Sequence, residues 1–278
     1  RNQYFGALWS TANTKSSSAS LLFNHDFNDN WKLGFNSSFQ SYRRTQTSTA
    51  QISTLDANAN WKRGLTKSDG AEQIFGDQLT LQGIFNTGRV KHQIFTGIDY
   101  ENSLAPSYTF GFYATPNGTT AITTEATAIN LYSYDYNTQS LNIPYPSRAN
   151  QLATTQTQRF GAFAQDLISI NKYIKVLAGI RWSWQENEVT TSKEVIEKVN
   201  GVNIITTNLD NAAPVTGPKT LNRAFSPKAG LVIQPTTDLS LFASYSNSFT
   251  PNTGTTVDLK PLDPSIIDQY EVGLKKDF

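Results

Sequence analysis

Residues 173–187, YIKVLAGIRWSWQEN, decide the fold class of this chain. Apolar and polar side chains alternate along the stretch with a period of two. One face carries Ile174, Val176, Ala178, Ile180, Trp182 and Trp184, and the other carries Lys175, Gly179, Arg181, Ser183, Gln185 and Asn187. This period predicts a β-strand with one apolar and one polar face.

The same alternation recurs along most of the chain, and no comparable stretch shows helical spacing. Clear examples follow Trp31 and Leu239, with weaker ones in 79–85, 94–100, 225–233 and 270–278. We predict an all-β chain with about nine long strands, near 17–27, 31–43, 77–87, 91–103, 155–168, 173–188, 222–234, 239–250 and 266–278. The alternating stretch around 55–61 is predicted to be a strand extension or a hairpin and not a separate crossing.

Alternation also suits a soluble sandwich, but two features favour a transmembrane antiparallel β-barrel. Aromatic residues bound apolar spans of about ten residues, which at the usual tilt cover about 25 Å, the height of the apolar band in outer-membrane barrels. The polar face carries charges that a sandwich core could not bury and a wet lumen can. These charges belong to Lys175, Arg181, Lys228, Glu271 and Lys275.

The connections between the predicted strands alternate in length. Short ones fall at 28–30, 87–89, 171–172 and 235–238, and long ones at 104–152, 189–221 and 251–265. Bacterial barrels place short turns in the periplasm and long loops outside the cell, so we expect the long connections to be extracellular. Within 189–221, two alternating runs flank Asn200-Gly201, which predicts a β-hairpin with a type I′ turn.

Composition argues against several classes of function. A formal charge of +1 gives no field of the kind that binds nucleic acid, and the absence of Cys excludes disulfides and thiol chemistry. His25 and His92 lie far apart, and residues 26–30 begin like a calcium loop but have Trp31 where such a loop needs Gly. We therefore predict no catalytic residue, no metal site and no cofactor.

Several phrases resemble the barrel of TonB-dependent siderophore receptors over roughly residues 75–278. They are FNTG at 85–88 followed by KHQIFTGIDY at 91–100, FGAFAQD at 160–166, LAGIRW at 177–182, FSPKAGL at 225–231, YSNSFTP at 245–251 and YEVGLK at 270–275. Barrels of this family have about 22 strands and enclose a plug. The resemblance implies that residues 1–278 are part of such a barrel, with the plug and terminal strands outside them. The odd strand number and the missing initiator Met favour the same expectation.

The resemblance also implies a function and partners. The expected activity is import of ferric siderophores through the outer membrane of a Gram-negative bacterium, with no enzymatic step. The expected partners are the ferric siderophore, TonB with ExbB and ExbD acting through the plug, and outer-membrane lipid. Alternatives are a receptor of the same architecture for cobalamin, haem, another metal chelate or a glycan, a passive substrate-specific porin, and a non-membrane adhesin, which the lumen charges argue against.

The long connection 104–152 carries the candidate binding residues, because it is rich in aromatics and poor in charge. Such side chains offer rigid, amphipathic contact surface for a bulky ligand. The candidates within it are Tyr108, Phe110, Tyr113, Tyr132, Tyr134, Tyr136 and Arg148, and Arg159 follows shortly after it. The two arginines are the candidates for meeting an anionic group of the ligand. The competing interpretation is that the aromatics pack against one another to fold the loop, and that the arginines are rim or lumen charges.

Overall fold

Antiparallel β-strands make up most of the chain in the computed structural model, which describes residues 5–50, 55–252, 256–258 and 262–277. Two short 3-10 turns occur at Tyr136–Thr138 and Leu209–Asn211. The strands are β1 (Thr11–Asn28), β2 (Trp31–Thr49), β3 (Asn60–Trp61), β4 (Leu65–Thr87), β5 (Val90–Tyr113), β6 (Ala121–Ile122), β7 (Ile129–Asn130), β8 (Ser147–Ser169), β9 (Ile174–Lys193), β10 (Val195–Val199), β11 (Val202–Thr207), β12 (Val215–Thr216), β13 (Thr220–Thr236), β14 (Leu239–Thr250) and β15 (Ser265–Lys276).

The nine long strands of the described residues form one sheet in the order β1-β2-β4-β5-β8-β9-β13-β14-β15, each antiparallel to its neighbours. This confirms the nine predicted crossings, although Phe278 lies outside the described residues. The strands are longer than predicted at their far ends. β4 already begins at Leu65, and β5 continues to Tyr113. In the added part of β4 the outward residues include Gln73, Asp69 and Lys67, so apolar alternation could not mark where that strand begins.

The two faces of this sheet differ as the alternation predicts. Residues directly opposite one another on paired strands share a face, and the register aligns the apolar sets of all nine strands. One such row is Phe23, Phe35, Leu79, Ile98, Ala162, Trp182 and Phe225, and the row of Leu231, Ala243 and Val272 continues the same face onto β14 and β15. This set defines the apolar face, and the opposite, polar face carries Arg181, Lys228 and Glu271.

Short and long connections lie at opposite ends of the sheet. On one side the turns are brief. At the first of them, the Asn28 side chain accepts hydrogen bonds from the backbone N–H groups of Asn30 and Trp31. This confirms the short connection predicted at 28–30. On the other side lie the connections 50–64, 114–146, 194–219 and 251–264, which define the long-loop end of the sheet.

Buried apolar side chains cluster at the long-loop end and not along the sheet. The cluster consists of Ala7, Trp9, Leu65 and Phe112, with Ile122 and Tyr145 packed against it. Large apolar residues in the middle of the strands stay exposed, as Phe225 does. A sheet that separates lipid from a wet lumen has this distribution. Among the described residues, no helix is long and apolar enough to cross a bilayer.

Candidate ligand-binding surface at the long-loop end

Backbone hydrogen bonds join the connections 50–64 and 114–146 into one unit, called the loop pair below. The Leu65 N–H donates to the Thr123 carbonyl at 2.9 Å, and the Glu125 N–H donates to the Arg63 carbonyl at 2.9 Å. Further out, β3 pairs with β7. The stretch 55–61 is therefore not a separate crossing, as predicted. The prediction that this stretch extends a neighbouring strand or forms a hairpin was wrong, because residues 60–61 pair with β7. Residues 51–54 lie outside the described residues.

The ion pair between Arg63 and Glu125 lies at the centre of the loop pair. Arg63 donates from Nε and Nη2 to the two carboxylate oxygens, at 2.6 and 2.9 Å. The two side chains are only 6% and 11% exposed. Arg63 Nη1 also donates to the Tyr134 hydroxyl and to Gln139. The sequence did not predict this pair, because two single charges 62 residues apart form no motif that links them.

Tyr134 and Tyr113, two of the predicted binding residues, are built into the loop structure. The Tyr134 hydroxyl donates to the Gly6 carbonyl at 2.7 Å, and its ring lies 5.3 Å from that of Phe5. Burial raises the pKa of the Tyr134 phenol above its usual value, so it remains protonated. Tyr113 is 3% exposed beneath the guanidinium of Arg148, 4.2 Å from the ring centre. Their contacts match the interpretation in which loop aromatics pack the loop.

Arg148 connects the loop pair to the next long connection. It donates to both carboxylate oxygens of Glu194 at 2.7 and 2.9 Å, and to the carbonyls of Pro116 and Gly118. The hydrogen bond to Glu194 raises the pKa of Arg148, and the Glu194 side chain is only 2% exposed. Most of the guanidinium donors are thus used within the protein, so contact with an anionic ligand finds no support in this geometry.

Arg159 does not join the other candidates. It lies on the polar face of β8, where it forms an ion pair with Glu101 and donates to Gln185 at 3.0 Å. These residues sit directly opposite one another on β5, β8 and β9. Arg159 is therefore a charge of the sheet wall, away from the loops.

The remaining candidates are available for contact. Tyr132 is 89% exposed at the tip of the loop pair, near the exposed Leu141 and Ile143 in sequence, and Tyr136 is half-buried. Tyr108 and Phe110 lie near the end of strand β5 and not in a loop, because β5 continues to Tyr113. Their ring centres are 6.4 Å apart.

A cavity of about 710 Å³ opens beside Tyr108, between the ends of β5 and β8 and the hairpin of β10 and β11. It has the size typical of ligand pockets. Its lining includes the paired Arg148 and Glu194 and the acidic Asp210. The other lining residues are uncharged and are Tyr108, Asn117, Thr119, Ala149, Asn203, Ile204, Ile205, Asn208 and Leu209. Such a lining suits a bulky ligand with little net charge.

The hairpin that closes the cavity has the predicted type I′ turn. Asn200 and Gly201 adopt φ values of 52° and 83°, and Val199 pairs with Val202 across the turn. β10 and β11 form a two-stranded sheet of their own, separate from the long strands. The predicted position of this hairpin outside the wall is confirmed.

Comparisons with known proteins agree on one family. The model described as TonB dependent receptor-like, beta-barrel matches residues 1–278. The ferrioxamine receptor of Yersinia enterocolitica is 26% identical over 260 residues, which cover 92% of this chain and 32% of that protein. The catecholate siderophore receptor Fiu of Escherichia coli K12 is 22% identical over 264 residues, covering 91% of this chain and 33% of that protein.

Fold comparison gives the same picture. The crystal structure of the ferric-catecholate import receptor Fiu from E. coli K12, in its closed form, matches with a TM-score of 0.76 and 20% identity. The match covers 99% of this chain and 40% of that one. The chain thus spans about a third of the length of its curated relatives.

Proposed function

Because the chain belongs to the TonB-dependent receptor-like β-barrel family, we propose that the protein it forms part of imports ferric siderophores across the outer membrane of a Gram-negative bacterium. The family consists of receptors and transporters and not enzymes. Two relatives are named as ferrioxamine and catecholate siderophore receptors. In this proposal the chain contributes barrel wall and outer loops, and performs no bond chemistry.

The observation that carries the proposal is the long-loop end itself. It combines an exposed tyrosine, Tyr132, with a cavity of about 710 Å³ whose lining is mostly uncharged, and two ion pairs, Arg63–Glu125 and Arg148–Glu194, brace the loops around them. A ferric chelate fits this surface, because the metal already occupies its donor oxygens and leaves a bulky, weakly charged exterior. Aromatic and amide groups then provide most of the contact.

Within this proposal the eight candidates divide by their contacts. Tyr108, Phe110, Tyr132 and Tyr136 are proposed to touch the ligand. Tyr113, Tyr134 and Arg148 are proposed to hold the surface in shape. Arg159 is proposed to line the lumen, where the expected plug would lie.

The proposed partners follow from the same architecture. TonB, with ExbB and ExbD, supplies energy through a plug that we place outside residues 1–278. Lipid surrounds the apolar face. The long connections then lie outside the cell, and the short turns lie in the periplasm.

The proposal is tested by uptake of radioactive iron in iron-starved cells that produce the whole protein as their only siderophore receptor. Ferrioxamine and a ferric catecholate are supplied separately, to strains with and without TonB. We expect uptake of at least one complex, and only where TonB is present. Uptake that does not need TonB would indicate a passive porin. Uptake of haem, cobalamin or a glycan, with neither iron complex taken up, would also overturn the proposal.

A further inference from the structure

The sequence contains two Asn-Gly pairs, Asn117-Gly118 and Asn200-Gly201, and the structure holds them in different surroundings. An asparagine that precedes glycine is prone to cyclise, because glycine has no Cβ to hinder the approach of its backbone nitrogen to the side-chain amide. The reaction closes a five-membered succinimide ring and releases ammonia. It requires that the glycine N–H is free and that the backbone around it can move.

The pair Asn117-Gly118 meets neither requirement. The Gly118 N–H donates to the Thr115 carbonyl at 3.0 Å, and the Gly118 carbonyl accepts a hydrogen bond from Arg148 Nη2 at 3.1 Å. A Cβ added at Gly118 would meet Cβ of Tyr113 at 3.1 Å, so the space around this glycine is tightly filled. Attack of the Gly118 nitrogen on the Asn117 side chain therefore requires the loss of these contacts.

The pair Asn200-Gly201 meets both requirements. It forms the tip of the hairpin of β10 and β11, and both residues are exposed. The Gly201 N–H donates to no backbone acceptor among the described residues. Apart from its chain neighbours, no heavy atom of the described residues lies within 4 Å of the position of an added Gly201 Cβ. Solvent thus reaches this nitrogen, and no packed group stops the turn from rearranging.

We propose that Asn200 is a site of spontaneous deamidation, and that the isoaspartate it forms loosens the hairpin. A base in the solvent takes the proton of the Gly201 N–H, and this nitrogen forms a bond with Cγ of Asn200. The bond from Cγ to Nδ2 breaks, and Nδ2 takes up a proton from solvent and leaves as ammonia. Water then opens the succinimide at one of its two carbonyls, which gives aspartate or isoaspartate.

Isoaspartate changes the backbone as well as the charge. The main chain then passes through the former side-chain carbon of Asn200 and is one carbon longer. A type I′ turn joins its strands by two residues of fixed geometry, so Val199 and Val202 can no longer pair as they do. The hairpin carries Asn203 and Ile204, which line the cavity of about 710 Å³. Deamidation therefore loosens one wall of this cavity, an inference that does not rest on the proposed import function.

The test follows both pairs in the whole protein during a long incubation at mildly alkaline pH. The water is enriched in heavy oxygen, so that deamidation during the later digestion, in ordinary water, is recognised and left out. Peptides that contain Asn117 and Asn200 are then quantified by mass spectrometry. A parallel sample is unfolded in urea, where the two pairs lose their different surroundings.

We expect Asn200 of the folded protein to deamidate at least about tenfold faster than Asn117, which corresponds to about 1.4 kcal/mol in the barrier. In urea the two rates should be similar. Equal rates in the folded protein, or a faster reaction at Asn117, would overturn the proposal. So would an Asn200 that stays intact in the folded protein while both pairs react in urea.

Hydrogen exchange in 195–207 tests the loosening, with fresh and incubated samples of each protein compared. Exchange should be faster in the incubated unaltered protein than in the fresh one. Asn200→Gln is the unreactive control, because its ring would need six members, and its incubation should change nothing. Fresh Asn200→Asp carries the new charge without the extra backbone carbon, and should match the fresh unaltered protein. Equal exchange in fresh and incubated unaltered protein would overturn the loosening, and so would fast exchange in fresh Asn200→Asp.

Discussion

The guanidinium of Arg181 reaches over strand β8 to hold both carboxylate oxygens of Asp99, each at 2.8 Å. Gly161 makes this possible. It lies between Asp99 and Ser183 in the register, and a Cβ added there would come within 2.0 Å of Arg181 Nη2. The ion pair thus links β9 to β5 across β8 on the polar face. It requires glycine at position 161, because any side chain there would occupy the space of the guanidinium.

The first prediction concerns this glycine. In Gly161→Ala the flexible end of Arg181 can move aside, but only by giving up Asp99, so the cost is loss of the ion pair. Because both side chains are partly exposed, we expect a loss of about 1 kcal/mol. The measurement is the temperature at which the folded band disappears on gels of the purified protein.

Gly76→Ala is the control for that change, because an added Cβ there meets its nearest atoms at 3.4 and 3.8 Å, which is ordinary contact. Its melting temperature should stay near that of the unaltered protein. Equal behaviour of the two variants would show that the contact across Gly161 adds no stability.

The second prediction concerns the buried pair of Arg63 and Glu125. Arg63→Met leaves a buried carboxylate without its partner, which costs about 3–5 kcal/mol in comparable pairs. Hydrogen exchange in 121–131 should therefore become much faster, while the long strands stay protected. The double variant Arg63→Met/Glu125→Leu removes both charges and should recover part of the protection. Faster hydrogen exchange in 121–131 of the double variant than in the same segment of Arg63→Met would contradict this account.

The strands and their faces could be predicted from sequence, because each lipid-facing position requires an apolar side chain whatever residues lie beside it. Val176, Ile180 and Trp182 carry the pattern without reference to any distant residue. Contacts at the loops could not be predicted, because they depend on partners far along the chain. Composition could not distinguish Tyr132, which is 89% exposed, from Tyr113, which is 3% exposed. Nor could it show that Arg148 is held by Glu194.

The third prediction separates ligand contact from loop packing. Tyr132→Ala removes an exposed ring, and should weaken binding of the cognate ferric complex by about 1 kcal/mol, or fivefold, without changing hydrogen exchange in the loop. Tyr134→Ala breaks the contacts with Gly6 and Phe5, and should speed exchange in the loop. Unchanged affinity in a correctly assembled Tyr132→Ala protein would exclude this tyrosine from the recognition surface.

The fourth prediction concerns the hairpin turn. Gly201 adopts a φ of 83°, so a β-branched side chain there is strained by about 1–2 kcal/mol. In Gly201→Val, exchange in 195–207 should accelerate while the barrel still assembles, because the hairpin is separate from the wall. Asn200→Gly, which tolerates the same backbone, is the control. Failure of barrel assembly in Gly201→Val would place the hairpin within the wall.

The central claim is that the long sheet separates lipid from a wet lumen, and spin labels along β9 test it most directly. Residues 1–278 contain no cysteine, so single cysteines at Val176, Ile180 and Ser183 can be labelled selectively once any cysteine elsewhere in the whole protein is replaced. Accessibility is measured in bilayers, with oxygen as the lipid-soluble probe and a nickel complex as the water-soluble one. Labels at Val176 and Ile180 should respond mainly to oxygen, and the label at Ser183 should respond mainly to nickel. Equal nickel accessibility at all three positions, or the reverse pattern, would contradict the account.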